Sequence, residues 1–334
     1  MLLKRISSVV CAIFFVLAFS LSHAQNFVQR EEVRAYLDEL SGSYGFSRNN
    51  LEKILSDHKP NKRIIDLISR PSEKRLQWHE YRKILVDEAR IKLGVEFWNE
   101  NIVALSEAEQ VYSVAPEIIV AIIGVETRYG KIMGSYPVVE ALSTLAFDYP
   151  PRAKFFRKEL TEFFILTRDQ KLDPSNLTGS YAGAMGYGQF IPSSYRAYAV
   201  DFDGDNFKDI WNNKADAIGS VANYFSRHGW QGDGPVIVRG YKTSHNLDVT
   251  ANESLEPKFL AGDLRKKGIR NNLADNTKVA LFEMQGEMGQ EYWLGLSDFY
   301  VITRYNRSSM YALAVFQLSQ AIKQERIDLL NSLN

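Results

Sequence analysis

One segment constrains this chain more than any other. From Pro116 to about Arg128 the residues Ile118, Ile119, Val120, Ile122, Ile123 and Val125 make a helix apolar on nearly every face. Such a helix has no side to give to water, so the rest of a domain must close around it. A chain of 334 residues with 45% apolar side chains is long enough to do so without disulfides or metals. The same apolar content excludes a predominantly disordered chain.

The flanking segments read as helices too. Glu31 to Leu40 carries Val33, Tyr36, Leu37 and Leu40 at helical spacing, with Ser41-Gly42 as the expected stop. Ile64 to Leu67 and Leu76 to Ile91 continue the pattern, and Pro71 is expected to open a new element. Ser106-Glu107-Ala108-Glu109 fits a capping box, and Pro116 stands where the first turn of the apolar helix begins. After Trp230 the pattern changes. Val236 to Val238, Lys278 to Met284, Glu291 to Leu296 and Phe299 to Thr303 are β-prone runs, which predicts a small antiparallel sheet. Tyr311 to Ile327 returns to a helical stripe. The expected class is α+β, mainly α, with a β subdomain inserted into or appended to a helical chain.

At the start, Lys4 and Arg5, an apolar run from Ile6 to Leu21 and the small-x-small ending Ser22-His23-Ala24 predict a secretory signal peptide cleaved before Gln25. The run is short for a hydrocarbon core of about 30 Å, which argues against a membrane anchor. Val10 stands before Cys11 where lipidation needs a small residue, so no lipoprotein is expected. The reading is an exported, periplasmic protein that loses its only cysteine on cleavage. With 40 basic against 40 acidic residues, nothing marks a nucleic acid or an anionic membrane as partner.

Several chemistries are absent from the pattern. There is no G-x-S-x-G elbow, no H-E-x-x-H, no Walker loop and no G-x-G-x-x-G, and His58, His79, His228 and His245 lack ligand-like spacing. No organic cofactor is expected, and carboxylate chemistry remains. Glu126 lies at the end of the apolar helix, where loss of water and the negative end of the helix dipole both favour its protonated form. Such a group suits general acid work; the alternative is a helix-end glutamate that reaches solvent or pairs with a lysine.

A second constellation runs from Gly179 to Tyr195, with four glycines among Ser180, Tyr181, Tyr187 and Gln189. Glycines at this density let backbone approach a ligand closely, while tyrosine faces and an amide suit sugars. A turn-rich connector would look the same.

A third is Asp201-Phe202-Asp203-Gly204-Asp205-Asn206-Phe207-Lys208-Asp209. Carboxylates at alternate positions of a turning loop, with the Phe207 carbonyl at the seventh, can converge on one hard cation, and Ca²⁺ in a structural role is expected. The loop departs from an EF-hand at Gly204, Asn206 and Asn212, so its closing carboxylate must come from elsewhere, with Asp209 one choice.

The pairing of Glu126-Thr127-Arg128-Tyr129-Gly130 with Gly186-Tyr187-Gly188-Gln189-Phe190-Ile191-Pro192-Ser193-Ser194-Tyr195 resembles lytic murein transglycosylases of the B type, glycoside hydrolase family 103. Tyr149 to Ala153, Asp216 to Phe225 and Tyr305-Asn306 with Tyr311 extend the likeness over about residues 30 to 325. The resemblance implies a lysozyme-like helical core. Together with the patterns above, the expected organisation is a signal peptide at 1–24, an N-terminal helical region at 25–110, the catalytic core with its calcium loop at 111–230, a β subdomain at 231–304, and a helix at 305–334 returning to the core.

By position in the motifs, Glu126 matches the family's single catalytic acid/base. Ser180, Gln189, Tyr224, Tyr305, Asn306, Tyr311, Arg152 and Tyr81 match residues that line the saccharide groove, and Asp216 is a second choice for the last calcium ligand. Pro151 replaces a second arginine common in the family, and Phe155 a tyrosine. The implied activity is cleavage of the β-1,4 bond between N-acetylmuramic acid and N-acetylglucosamine in peptidoglycan glycan strands, with a 1,6-anhydro product, by a soluble monomer. A hydrolytic muramidase and a non-catalytic peptidoglycan-binding module are the alternatives.

Overall fold

The computed structural model describes residues 26–70, 76–243 and 248–332. The leader expected at 1–24, the element expected to open at Pro71, and His245 lie outside the described residues. The chain forms two compact units, the first ending at Asp57 and the second beginning at His58.

In the first unit a 3-10 turn at Phe27–Gln29 precedes α1 (Glu31–Tyr44) and α2 (Arg48–Leu55). Helix α1 buries Val33, Tyr36, Leu37 and Leu40 along one stripe. It does not stop at Ser41-Gly42 as expected. Gly42 in a helix costs about 1 kcal/mol, which the continuing helix absorbs, and the end comes at Gly45, whose positive φ of 71° lets its N–H reach the Leu40 carbonyl.

The second unit opens with α3 (Lys62–Ser69), α4 (Trp78–Leu85), α5 (Glu88–Glu100), α6 (Ile102–Tyr112) and α7 (Pro116–Thr127). The stripe expected from Leu76 to Ile91 is two helices. Asp87 breaks it by capping α5, accepting the Arg90 amide at 2.9 Å. The capping box expected at Ser106 is wrong, since Ser106 lies inside α6 and the break falls at Asn101, which ends α5 and starts α6. A serine three residues before a glutamate marks a helix start only where the chain enters from outside. Pro116 does hold the first turn of α7, and Ile118 to Ile123 are buried to 2% exposure or less. Helices α5 and α6 pack against α7.

Strand β1 (Tyr136–Pro137) and helix α8 (Val138–Phe147) follow, then a turn at Pro150–Arg152, α9 (Ala153–Asp169), β2 (Thr178–Gly179), α10 (Pro192–Tyr198) and α11 (Lys214–Arg227). Strands β1 and β2 form an antiparallel ribbon at the entrance to the glycine-rich loop.

The sheet is built from β3 (Ile237–Lys242), β4 (Phe259–Leu260), β5 (Ile269–Arg270), β6 (Lys278–Gly286) and β7 (Gly289–Gly295), with α12 (Ala261–Lys266) between β4 and β5. Its order is β4-β6-β7-β3-β5, antiparallel throughout, and Leu264, Ile269, Val279, Leu281, Tyr292 and Leu294 form its core. Three of the four expected β runs fall in this sheet. The fourth is helical: Phe299 to Thr303 lies in α13 (Ser297–Tyr305), which buries Asp298, Phe299, Val301, Ile302 and Thr303. A short apolar run cannot distinguish strand from helix by pattern, and packing decided it. The last helix, α14 (Ser309–Ser332), packs along α4, α5 and α7. The molecule is thus α+β, mainly α.

Candidate active site

Glu126 stands on the last turn of α7, and the chain beyond it is held hard. Arg128, Tyr129 and Gly130 all take positive φ (49°, 61° and 87°), an arrangement that costs energy at the first two and persists because neighbours enforce it. Arg128 Nη2 meets Asp87 Oδ2 at 3.2 Å, and the Tyr129 hydroxyl donates to the Arg90 carbonyl at 2.9 Å. Arg90 is itself 5% exposed; its Nε donates to the Gly124 carbonyl at 3.1 Å and its Nη1 to Asp87 Oδ2 at 2.7 Å and the Ile84 carbonyl at 2.5 Å. Burial opposes ionisation of Asp87, but the Arg90 amide and the charges of Arg90 and Arg128 hold its carboxyl below the usual range. The group joins the ends of α4 and α7. Sequence reasoning missed Asp87 and Arg90 in this role, and the only signal they carry is the helix-cap pattern.

Next to Glu126, the Thr127 hydroxyl lies 3.0 Å from the Tyr187 carbonyl and accepts the Gly130 amide at 3.0 Å. The helix end and the glycine-rich loop are thereby tied. Gly130 is required here, because a Cβ on it would stand 2.3 Å from the Tyr187 ring. Within the loop, Ser180 Oγ accepts the Ala184 amide at 3.1 Å and the Ala182 amide at 3.3 Å. Gln189, at φ 50°, donates Nε2 to the Met133 carbonyl at 3.1 Å and the Gly186 carbonyl at 3.0 Å. Both side chains therefore shape the loop they were expected to present to a sugar.

Two tyrosines close the site from α13 and α14. The Tyr311 hydroxyl donates to Glu126 Oε1 at 2.5 Å, and the Tyr305 hydroxyl to the Gly188 carbonyl at 2.5 Å. Burial first, and the Glu126 charge second, push both phenols well above their ordinary pKa, so both remain proton donors. Tyr81 on α4 is buried and lies within electrostatic range of the Tyr311 phenol, which brings α4 into the cluster. Tyr224 sets its ring edge-on to Tyr305 at 4.8 Å and donates to the Arg304 carbonyl at 2.6 Å. Asn306 caps the end of α13 beside them. Arg152 lies on the exposed turn before α9, its guanidinium 4.3 Å from the Phe155 ring and 5.0 Å from that of Phe156. Phe155 thus offers Arg152 a face but no hydroxyl.

In the acidic loop, ligand oxygens of Asp201, Asp203, Asp205 and Asp216 lie within 4.8 Å of one another. Asp216 is fully buried, in the first turn of α11, and accepts the Phe202 amide and the Asp209 amide, each at 2.7 Å. Asp209 instead turns its carboxylate to the amides of Trp211 and Asn212 at 3.0 and 2.9 Å. Phe207 donates its own amide to Asp205 Oδ1 at 2.8 Å, which keeps the loop turned. Four converging carboxylates, one of them buried, form an all-oxygen donor set that fits a hard dication such as Ca²⁺.

Residues 29–320 match the family described as the transglycosylase SLT domain. The chain belongs to this family. It is 41% identical to the membrane-bound lytic murein transglycosylase B of Escherichia coli (strain K12) over 321 residues, covering 90% of this chain and 85% of that protein. Among solved structures, the soluble lytic transglycosylase SltB1 of Pseudomonas aeruginosa is 51% identical with a TM-score of 0.85, over 88% of this chain and 99% of that one. The E. coli lytic transglycosylase Slt35, solved in complex with calcium, is 41% identical with a TM-score of 0.84, over 90% and 96% of the two chains. The fold of this family member is accordingly lysozyme-like.

Proposed function

We propose that this chain is a lytic transglycosylase that cleaves the β-1,4 bond between N-acetylmuramic acid and N-acetylglucosamine in peptidoglycan and leaves 1,6-anhydro ends. The observation that carries the reading is the Glu126 carboxyl held by the Tyr311 hydroxyl at the end of a buried helix, beside the glycine-rich loop. Glu126 protonates the glycosidic oxygen as the bond breaks, the substrate's own acetamido group assists at the anomeric carbon, and the resulting carboxylate takes the proton of the C6 hydroxyl. Tyr311 orients the carboxyl without competing for its proton, because its own phenol stays protonated. A further relative, SltB3 of P. aeruginosa, 29% identical with a TM-score of 0.77 over 90% of this chain and 80% of that one, was solved with NAG-anhNAM-pentapeptide. That ligand carries the anhydro end this reaction makes.

Ser180, Gln189, Tyr224, Tyr305, Asn306 and Tyr81 belong to the proposed groove, with Arg152 at its periphery. Ca²⁺ held by Asp201, Asp203, Asp205 and Asp216 serves to fix the loop that leads into α11. Export to the periplasm rests on the leader pattern of residues 1–24. No single described helix is long and apolar enough to cross a membrane.

Digestion of purified sacculi, followed by weighing of the released muropeptides, tests the reading. Anhydro products, one water lighter than those of a muramidase, are expected. Glu126→Gln should reduce release by at least about 10²-fold, since its amide keeps the shape but carries no transferable proton. Water-containing products would indicate the muramidase, and no release from the wild type would indicate a binding module.

A further inference from the structure

Away from Glu126, a cavity of about 630 Å³ opens between α4, α14 and the β6–β7 hairpin. On α4 it takes Trp78, His79, Arg82 and Lys83, and on α14 Phe316, Gln317 and Gln320. Its volume falls in the range of small-ligand sites, roughly 300–1,000 Å³.

The lining has two characters. Trp78, Trp293 and Phe316 give aromatic surface, and Met288 stands fully exposed at the hairpin tip. Around them charges of both signs are arranged in pairs. Lys83 Nζ meets Glu287 Oε1 at 2.9 Å, and Arg239 Nη1 meets Glu291 Oε2 at 2.6 Å while its guanidinium lies 4.8 Å from the Trp293 ring. Arg82 directs Nε to a neutral acceptor, Gln317 Oε1, at 2.6 Å. Such pairs, half in water, exchange readily for equivalent pairs with a ligand, because each contributes little by itself.

A ligand that matches must carry carboxylates and an ammonium group on short alkyl and amide stems. A ligand of one charge that displaced one member of a pair would leave the other member without a partner, whereas a zwitterion can replace both. We infer that this cavity is a second binding site that takes a short zwitterionic peptide of the kind borne by muramyl residues, so that the enzyme holds a stem peptide of the wall while Glu126 acts on a glycan bond. Its identity as a wall peptide rests on the proposed function. The arginines receive the peptide carboxylates, Glu287 and Glu291 the ammonium, and the aromatic floor its alkyl parts.

The test is a calorimetric titration of the full chain with the free tripeptide L-Ala-γ-D-Glu-meso-diaminopimelate, together with rates on intact sacculi and on peptide-free glycan strands. Saturable binding to wild type is expected, weakened at least tenfold in Arg239→Gln and Glu291→Gln. Arg82→Gln, which leaves the sheet untouched, should do the same. Melting temperatures and rates on peptide-free strands should stay at wild-type level in all three, while rates on sacculi fall several-fold at low substrate. Absence of saturable binding to wild type, or equal binding in all four proteins, overturns the site. Should wild type cleave no glycan at all, the functional reading fails, and the peptide titration still decides for or against the cavity.

Discussion

The Tyr311 hydroxyl and Glu126 Oε1 are joined at 2.5 Å across 185 residues of chain. Tyr311 is 2% exposed, and it holds a half-buried carboxyl, so the bond joins a group that keeps its proton to one whose proton must come and go. Tyr311→Phe preserves the ring and its packing but releases the carboxyl from its fixed orientation. Turnover should fall by about tenfold or more while the cooperative unfolding transition persists, because misorientation acts on the proton transfer and the ring still fills its place. Single-turnover rates and thermal melts on one preparation measure both. Wild-type turnover in the variant would remove Tyr311 from the orienting role.

The carboxylate cluster makes a separable prediction. A cation bound only by the folded state stabilises it by about 2.7 kcal/mol when its concentration is 100 times Kd. Calcium should therefore raise the melting temperature and a chelator should lower it. Asp216→Asn should abolish the calcium increment, whereas Asp209→Asn should lower the baseline yet keep the increment, since Asp209 faces the Trp211 and Asn212 amides. An increment lost in Asp209→Asn and kept in Asp216→Asn would reverse the assignment.

That choice between Asp209 and Asp216 marks where the sequence stops being legible. Asp201, Asp203 and Asp205 alternate along one loop, so their convergence follows from local spacing, but Asp216 arrives from the first turn of α11 only because the loop folds back over it. The same division holds for the site. An apolar helix ending in Glu126 can be read directly, because a helix apolar all round must be buried. The partnership with Tyr311, and the clamp of Asp87 and Arg90 on the end of α7, depend on how α4, α5 and α14 pack and leave no trace in spacing. Phe299 to Thr303 failed for the related reason that its β-branched residues suit either a strand or a buried helix, and only the neighbours of α13 select between them.

Gln189 tests how far a groove residue also serves the backbone. Its Nε2 donates to the Met133 and Gly186 carbonyls, and each such bond contributes about 1 kcal/mol. Gln189→Ala should lower stability by roughly 1–2 kcal/mol in urea titrations, with a further loss in kcat/KM measured on the folded fraction. Unchanged stability would mean that the loop holds its shape without the amide. Unchanged kcat/KM would confine Gln189 to the turn.

His228 connects acidity to the aromatic stack behind the site. Its ring lies 4.0 Å from that of Tyr224, Nδ1 donates to the Tyr224 carbonyl at 2.7 Å, and Nε2 faces the Tyr198 hydroxyl at 3.5 Å. Burial, with a smaller contribution from the Arg304 charge against the stabilising Tyr224 bond, lowers its pKa. The folded state therefore prefers neutral imidazole, and below the unfolded value of about 6.5 the unfolded chain binds the proton more readily. Stability should fall as pH drops through that value and rise again as it is restored. Any other group that titrates in this range, such as Glu159 or Asp216, whose carboxyls burial pushes up, does so in wild type and variant alike, so the difference between wild type and His228→Gln isolates the histidine. Urea midpoints at pH 7.5 and 5.5 should converge for His228→Gln and separate for wild type, and an equal separation in both would assign the acid sensitivity to another group.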